Sequence, residues 1–243
     1  MSRNDSAKLI YEHYYQNIIS TAQNPDPRST LHFYDDCYGW SLPTDKQIKI
    51  LDFGAGTGKL MFWLKERGYL NVVGVDLSPE QAQMAKTLSG QDVTQVDDPL
   101  QFLGQNKGFG LIFMSDVIEH ISKWDQPSYL NAMHGALELG GQLVIKTENI
   151  SSPVGVYQHS MDYTHEYNFT ELSLRQLLLS TGFKDIQIRG ERYPWSWRPV
   201  NIKRAIVRGI WFWLLKQLYD AERPSGNNPT IFSKSLICVC RSA

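Results

Sequence analysis

The sequence predicts an α/β fold built on a mostly parallel sheet, and three observations carry that reading. From residue 48 onward, short β-rich apolar runs alternate with helical segments. The first of these runs ends in a glycine-rich turn that opens a helix. The chain, at 243 residues, is long enough to bury a full core as one domain with elaborations.

The expected strands are "IKILDF" (48–53), "VVGVDL" (72–77), "DVTQV" (92–96), "FGLIFM" (109–114), "GQLVIKT" (141–147), "KDIQIR" (184–189) and "SLICVCR" (235–241). Helices are expected near 58–67, 79–88, 127–138 and 171–181, the last bounded by Thr170 as N-cap and Gly182 just past its end. Two pieces lie outside this alternation. Residues 1–47 carry an expected helix, a turn in "NPDPRS" and the aromatic segment "LHFYDDCYGW", which suits a lid over a cleft. Residues 191–230 are an insertion whose segment 201–223 is apolar and aromatic but interrupted by Lys203, Arg204, Arg208 and Lys216. Those charges do not segregate cleanly on a helical wheel, so a buried or dimer-forming helix ranks ahead of a membrane-interface helix.

Charge and cysteine content narrow the class of partner. With 24 Lys+Arg against 25 Asp+Glu, no overall positive field draws the chain toward nucleic acid. Cys37, Cys238 and Cys240 are an odd number without C-x-x-C spacing, which points to a reducing cytoplasm and away from a disulfide framework. No signal-peptide core or run of about 18 apolar residues is present, so a soluble or peripheral protein is expected.

In "ILDFGAGTGKL" (50–60) the glycines Gly54, Gly56 and Gly58 let the backbone turn sharply and bring its N–H groups close to a ligand. The next strand ends at Asp76, where a carboxylate can accept hydrogen bonds from both hydroxyls of a ribose. The spacing is G-x-G-x-G preceded by Asp52, not the G-x-G-x-x-G of a nicotinamide site. With "VVGVDLS", this turn resembles the class I S-adenosylmethionine-dependent methyltransferases, over roughly residues 48–190 and the closing strand. The resemblance implies a Rossmann-like, seven-stranded, mostly parallel sheet with its last strand antiparallel and helices on both faces. It also implies S-adenosylmethionine as cofactor, with Asp52, Gly54, Ala55, Gly56, Asp76, Leu77, Asp98 and Ser115 around it. The three glycines would line its methionine end and Asp76 would bind its ribose. The acid near the adenine falls on Asp97 or Asp98, with Asp98 preferred. Where the family usually has an acid in the lead-in to strand four, this chain has Gly110.

Transfer to a hydroxyl requires loss of a proton, hence a base, a metal ion or both. "MSDVIEHI" (114–121) sits where strand four ends, and spacing of three and four gathers Asp116, Glu119 and His120 on one side of a helical turn. Such a set suits a divalent ion, magnesium or manganese by its oxygens, zinc or iron by its imidazole. The same spacing also stands in methyltransferases of this class that use no metal. A second segment, "HSMDYTHEYNFTELSLRQLLLSTGF" (159–183), follows strand five and brings His159, Asp162 and His165 to the same sheet edge. Together the segments are similar to the small-RNA 3′-end 2′-O-methyltransferases and the ubiquinone-pathway O-methyltransferases. That similarity implies Asp116, Glu119, His120 and His165 as metal ligands, with Asp116 a shorter arm than the glutamate usual there. Without a metal, His165 or His120 is the natural general base. His13, His32 and His134 read as surface or satisfied core residues.

"DYTHEYNFTELSLRQLL", the aromatic insertion and the ending "NPTIFSKSLICVCR" resemble methyltransferases of bacterial polysaccharide assembly, which act on a sugar hydroxyl. This implies a sugar or glycan acceptor, free or lipid-linked, with Tyr11, Tyr14, Tyr15, Trp40, Trp195 and Trp197 available for stacking. It also implies a cytoplasmic enzyme at the inner face of a membrane, touching it through 201–223, or a homodimer. The alternatives are a catechol-like or quinone-precursor acceptor, an RNA 2′-hydroxyl, or a non-catalytic binding protein.

Overall fold

The computed structural model describes residues 26–193, 198–224 and 226–242. The seven expected strands form as β1 (Ile50–Phe53), β2 (Val72–Asp76), β3 (Asp92–Gln95), β4 (Phe109–Ser115), β5 (Leu137–Glu148), β6 (Lys184–Gly190) and β7 (Ser235–Arg241). They make one sheet in the order β3-β2-β1-β4-β5-β7-β6. The first five are mutually parallel, and β7 inserts between β5 and β6, antiparallel to both. Sequence and structure agree on a Rossmann-like methyltransferase architecture.

The apolar runs in the central strands reflect burial on both faces. Leu51, Ile112, Met114, Leu143, Ile145 and Cys238 point into one core. Alternate residues Ile50, Leu111, Phe113, Val144 and Ile237 point into the other. The second core is covered by α1 (Leu31–Tyr38), α2 (Lys59–Glu66) and α3 (Pro79–Ser89); the first is covered by α4 (Pro99–Gln105), α5 (Gln126–Ala136) and, beyond α6 (Pro153–Ser160), by α7 (Glu171–Ser180). All three buried cysteines are free thiols.

Several boundaries moved. Strand β5 begins at Leu137 rather than 141, and its pairing with β4 is irregular between Phe109 and Leu111, near Gly140 at φ 74°. Three helices of eight residues or fewer, α1, α4 and α6, were not expected, because two turns leave little periodicity to read. Two of them begin at prolines that were visible in the sequence: Asp98 caps α4 ahead of Pro99, and Ser152 precedes Pro153 in α6. Thr170 caps α7 as expected, and Ser173 returns the hydrogen bond in a capping box.

The aromatic segment is α1, held onto α2 by Asp35, which accepts from Arg67 and from Trp63 Nε1. Tyr34 stacks on Tyr38 and on Trp63. The insertion contains α8 (Pro199–Glu222), a helix as expected but not a buried one: Leu215 is its single buried residue. The expected N-terminal helix, His13, Tyr11, Tyr14, Tyr15, Trp195 and Trp197 lie outside the described residues.

Candidate active site

The order reversal between β1 and β4 opens a crevice at the carboxyl ends of the strands, where ligands of such sheets bind. A cavity of about 800 Å³ occupies it, lined by Gly54, Gly56, Asp76, Leu77 and Ser115 on one side and by Asp116, His120, Glu148, Asp162 and His165 on the other. The turn after β1 is left-handed at Gly54, Gly56 and Gly58. A Cβ on Gly54 would run into Val117. Gly58 serves packing instead, because a Cβ there would come within 2.5 Å of the Ala85 Cα; its absence lets α2 lie against α3. Gly58 is not among the residues lining the cavity.

Asp76 is held rigidly, its Oδ2 accepting from the Gly56 amide and its Oδ1 from the Ser78 amide, each at 2.8 Å. Burial raises its carboxyl above the usual range, while these amides pull the other way. Asp52, with Ala55, lines a smaller adjoining cavity of about 160 Å³ together with Tyr34, Lys59 and Lys146. Burial and then the charge of Asp76 push Asp52 well above the usual carboxylate range, and its Oδ2 has no partner among the described residues. Such a carboxylate, beside a cavity, suits a cationic group. Asp98 is elsewhere. It is exposed and caps α4 through the Gln101 amide, Asp97 accepts from Gln95, and Val96 and Pro99 line the cavity between them. Ser115 exchanges a 2.8 Å hydrogen bond with Tyr38 of α1.

The second half of the cavity holds a polar cluster. Asp116, at φ 54°, turns toward the buried Lys146, whose Nζ lies 2.5 Å from both its oxygens. Burial alone would lower Lys146, but Asp116, Tyr38 and Glu191 outweigh it and hold the amine well above its usual value. Glu119 is fully buried. Its Oε2 accepts from Thr147 at 3.0 Å, and its carboxyl also meets that of Glu148, a contact that needs a proton between them. Burial, then Glu148 and Asp116, push Glu119 well above the usual range. Glu148 at the end of β5 is also buried, and among the described residues no donor group reaches its Oε2.

The two histidines are each anchored through Nδ1. His165 Nδ1 lies 2.8 Å from the His159 carbonyl, which can only accept, so the proton sits on Nδ1 and the lone pair on Nε2. That Nε2 is 4.0 Å from Glu148 and 3.9 Å from Asp162. Thr164 donates to Asp162 at 2.6 Å and so accepts from His120 Nδ1 at 2.7 Å, giving His120 the same tautomer. The rings of His120 and His165 meet edge-on at 4.5 Å. Burial, then His165, lowers His120, so it is neutral near pH 7.

A family model described as a methyltransferase domain matches residues 26–188, more than half of the chain. The chain belongs to this methyltransferase family. It is similar in fold to a SAM-dependent methyltransferase from Archaeoglobus fulgidus, at 15% identity and TM-score 0.62 over 96% of this chain and 98% of that one. A magnesium protoporphyrin IX methyltransferase from Synechocystis PCC 6803, with bound SAH, matches at 14% identity and TM-score 0.60 over 100% of both chains. The 1,6-didemethyltoxoflavin-N1-methyltransferase of Burkholderia thailandensis, with 1,6-didemethyltoxoflavin and S-adenosylhomocysteine bound, matches at 17% identity and TM-score 0.58 over 100% of this chain and 91% of that one.

The residues of this methyltransferase fit S-adenosylmethionine, the cofactor expected from its sequence. The left-handed glycine turn, Asp76 and the unpartnered Asp52 face adjoining cavities of suitable size and polarity. The expected metal residues Glu119, His120 and His165 come together, with one ligand atom of each within 4.8 Å of the others, and Asp116, Glu119 and Glu148 form an overlapping group. His32 is exposed and His134 packs its ring on Phe183, apart from the cavity lining. Lys146, Glu148 and Thr164 were not singled out from sequence. The signal for the first two was a run of polar residues, "KTE", ending an apolar strand.

Proposed function

We propose that this methyltransferase methylates a hydroxyl of a sugar-like acceptor in polysaccharide assembly. Asp76 would hold the ribose of S-adenosylmethionine, the Gly54–Gly56 turn its methionine portion, and Asp52 its ammonium group. When bound, the cofactor supplies an electrophilic methyl group on a sulfonium. The observation that carries the reading is the paired, Nδ1-anchored imidazoles of His120 and His165, which line the same cavity as Asp76 and the glycine turn.

An alkyl hydroxyl cannot ionise unaided near neutrality, so its proton must be taken as the oxygen–carbon bond forms. His165 Nε2 is the acceptor of that proton, and the carboxylates of Glu148 and Asp162 about it stabilise the imidazolium. His120 lies edge-on to His165, and Thr164 and Asp162 fix its orientation. Gln158, Asp162 and Glu166 line the wall, and the exposed rings of Tyr157 and Tyr163 adjoin Gln158 and Asp162 in sequence, a setting that suits a polyhydroxylated ring. Trp40 is engaged otherwise, with Arg189 over its face.

A second reading is favoured by Glu119 and Glu148, two buried carboxyls in contact with one another beside two imidazoles. Glu119, His120, His165 and Glu148 would hold a divalent cation (magnesium, manganese, iron or zinc), which would lower the acceptor hydroxyl's pKa. A methyl-transfer screen against sugar, catechol and RNA acceptors, run with and without excess EDTA, tests both readings. Transfer to a sugar, lost in His165→Ala, supports the proposal, and a preference for catechol or RNA overturns it. Full activity in EDTA removes the cation.

A further inference from the structure

Helix α8 is apolar on the side that faces away from the protein. Its inner side packs through Phe212 and Tyr219 on Phe232, at ring separations of 6.2 Å and 5.9 Å. On the opposite side Ile206, Val207, Ile210, Trp213, Leu214 and Leu218 recur at helical spacing, each between 44% and 61% exposed. Single exposed apolar residues are ordinary on a protein surface, but a continuous stripe of six along one helix face is a contact surface.

The charges say what covers it. From Pro199 to Tyr219 the helix carries Lys203, Arg204, Arg208 and Lys216 and no acid. Lys216 is paired with Asp220, and Arg208 lies over the ring of Tyr193. Lys203 and Arg204 are exposed and have no acidic partner among the described residues. The helix's two acids, Asp220 and Glu222, lie in its last turn, far from Lys203 and Arg204, and Asp220 is held by Lys216 and Asn228. Anionic headgroups complement those cations, and tryptophans beside an apolar stripe match the boundary between headgroups and acyl chains. No helix among the described residues is long and apolar enough to cross a membrane.

We propose that α8 lies in the plane of an anionic lipid bilayer, with the Ile210–Trp213–Leu214 face inserted and Lys203 and Arg204 on the headgroups. The surface does not depend on the acceptor's identity.

The test is co-sedimentation of the full chain with vesicles of phosphatidylcholine alone and of phosphatidylcholine with one quarter phosphatidylglycerol. The chain should sediment with the anionic vesicles and much less with the neutral ones. Lys203→Gln and Arg204→Gln should each weaken binding about fivefold, and Ile210→Glu and Trp213→Glu at least about tenfold. These side chains point outward, so circular dichroism and the melting temperature should be unchanged, which separates lost docking from lost fold. Absence of binding to the anionic vesicles, or binding untouched by the glutamate substitutions, overturns the proposal. A concentration-dependent dimer that those same substitutions dissolve also overturns it, and assigns the face to a second copy.

Discussion

Lys146 Nζ lies 2.5 Å from each carboxylate oxygen of Asp116, yet the two partners are unequally buried: the lysine side chain is 7% exposed and the aspartate 45%. Removing either partner therefore leaves a different problem behind. Asp116→Ala strands a buried ammonium and should cost about 2 kcal/mol, the usual penalty for breaking a buried pair discounted for the aspartate's exposure. Lys146→Met leaves a carboxylate that water can reach and should cost less than about 1 kcal/mol. Urea denaturation of both variants checks the asymmetry; equal losses would refute it.

Gly58→Ala should destabilise the fold by at least about 2 kcal/mol, since a left-handed backbone at φ 82° combines with a Cβ pressed on the Ala85 backbone. Gly68→Ala, at φ 84° but with nothing within 4 Å of its Cβ, should cost only about 1 kcal/mol. Thermal melts of the two, side by side, separate the steric part from the conformational part.

Asp76 and Asp98 should part company in calorimetry with S-adenosylmethionine. Asp76→Ala removes a carboxylate facing the cavity and should weaken binding by about 100-fold or more. Asp98→Ala should lower stability by about 1 kcal/mol through loss of the α4 cap and leave affinity within a few-fold. A large affinity loss in Asp98→Ala would return that residue to the cofactor site.

The raised pKa of Glu119 has a definite sign in stability. Above its ordinary value of 4.5 the unfolded chain releases the proton while the folded one retains it, so stability declines as pH rises. Glu119→Gln mimics the protonated side chain and should be more stable than wild type at pH 8 in EDTA. That gain should vanish as pH falls to 4.5 and below. A chemical-denaturation series across that range reads it directly, and an unchanged slope would place no proton on Glu119.

Much of this was legible in the residues. The central strands β1 and β4 announced themselves because they are buried on both faces, and the Gly54–Gly56 turn and Asp76 stood out because a close backbone approach leaves few alternatives in sequence. Asp98 carries a second role that the sequence reading did not assign, because an acid before a proline serves equally as a helix cap and as a ligand contact. Glu148 escaped notice because its partners, Glu119 and His165, come from segments that only the sheet brings together. For α8 the wheel was ambiguous because both its sides are apolar, one packed against Phe232 and one bare.

Among the described residues strand β6 pairs only with β7, and β7 must thread between β6 and β5. The ribosome makes β6 and the whole of α8 before β7 exists. Until residues 235–241 emerge, β5 and β6 lack the strand that joins them, and their facing backbone edges stand unpaired. The interval between the sixth strand and the seventh is therefore when this chain is most open to aggregation, and when a chaperone or a lipid surface would gain most by reaching it.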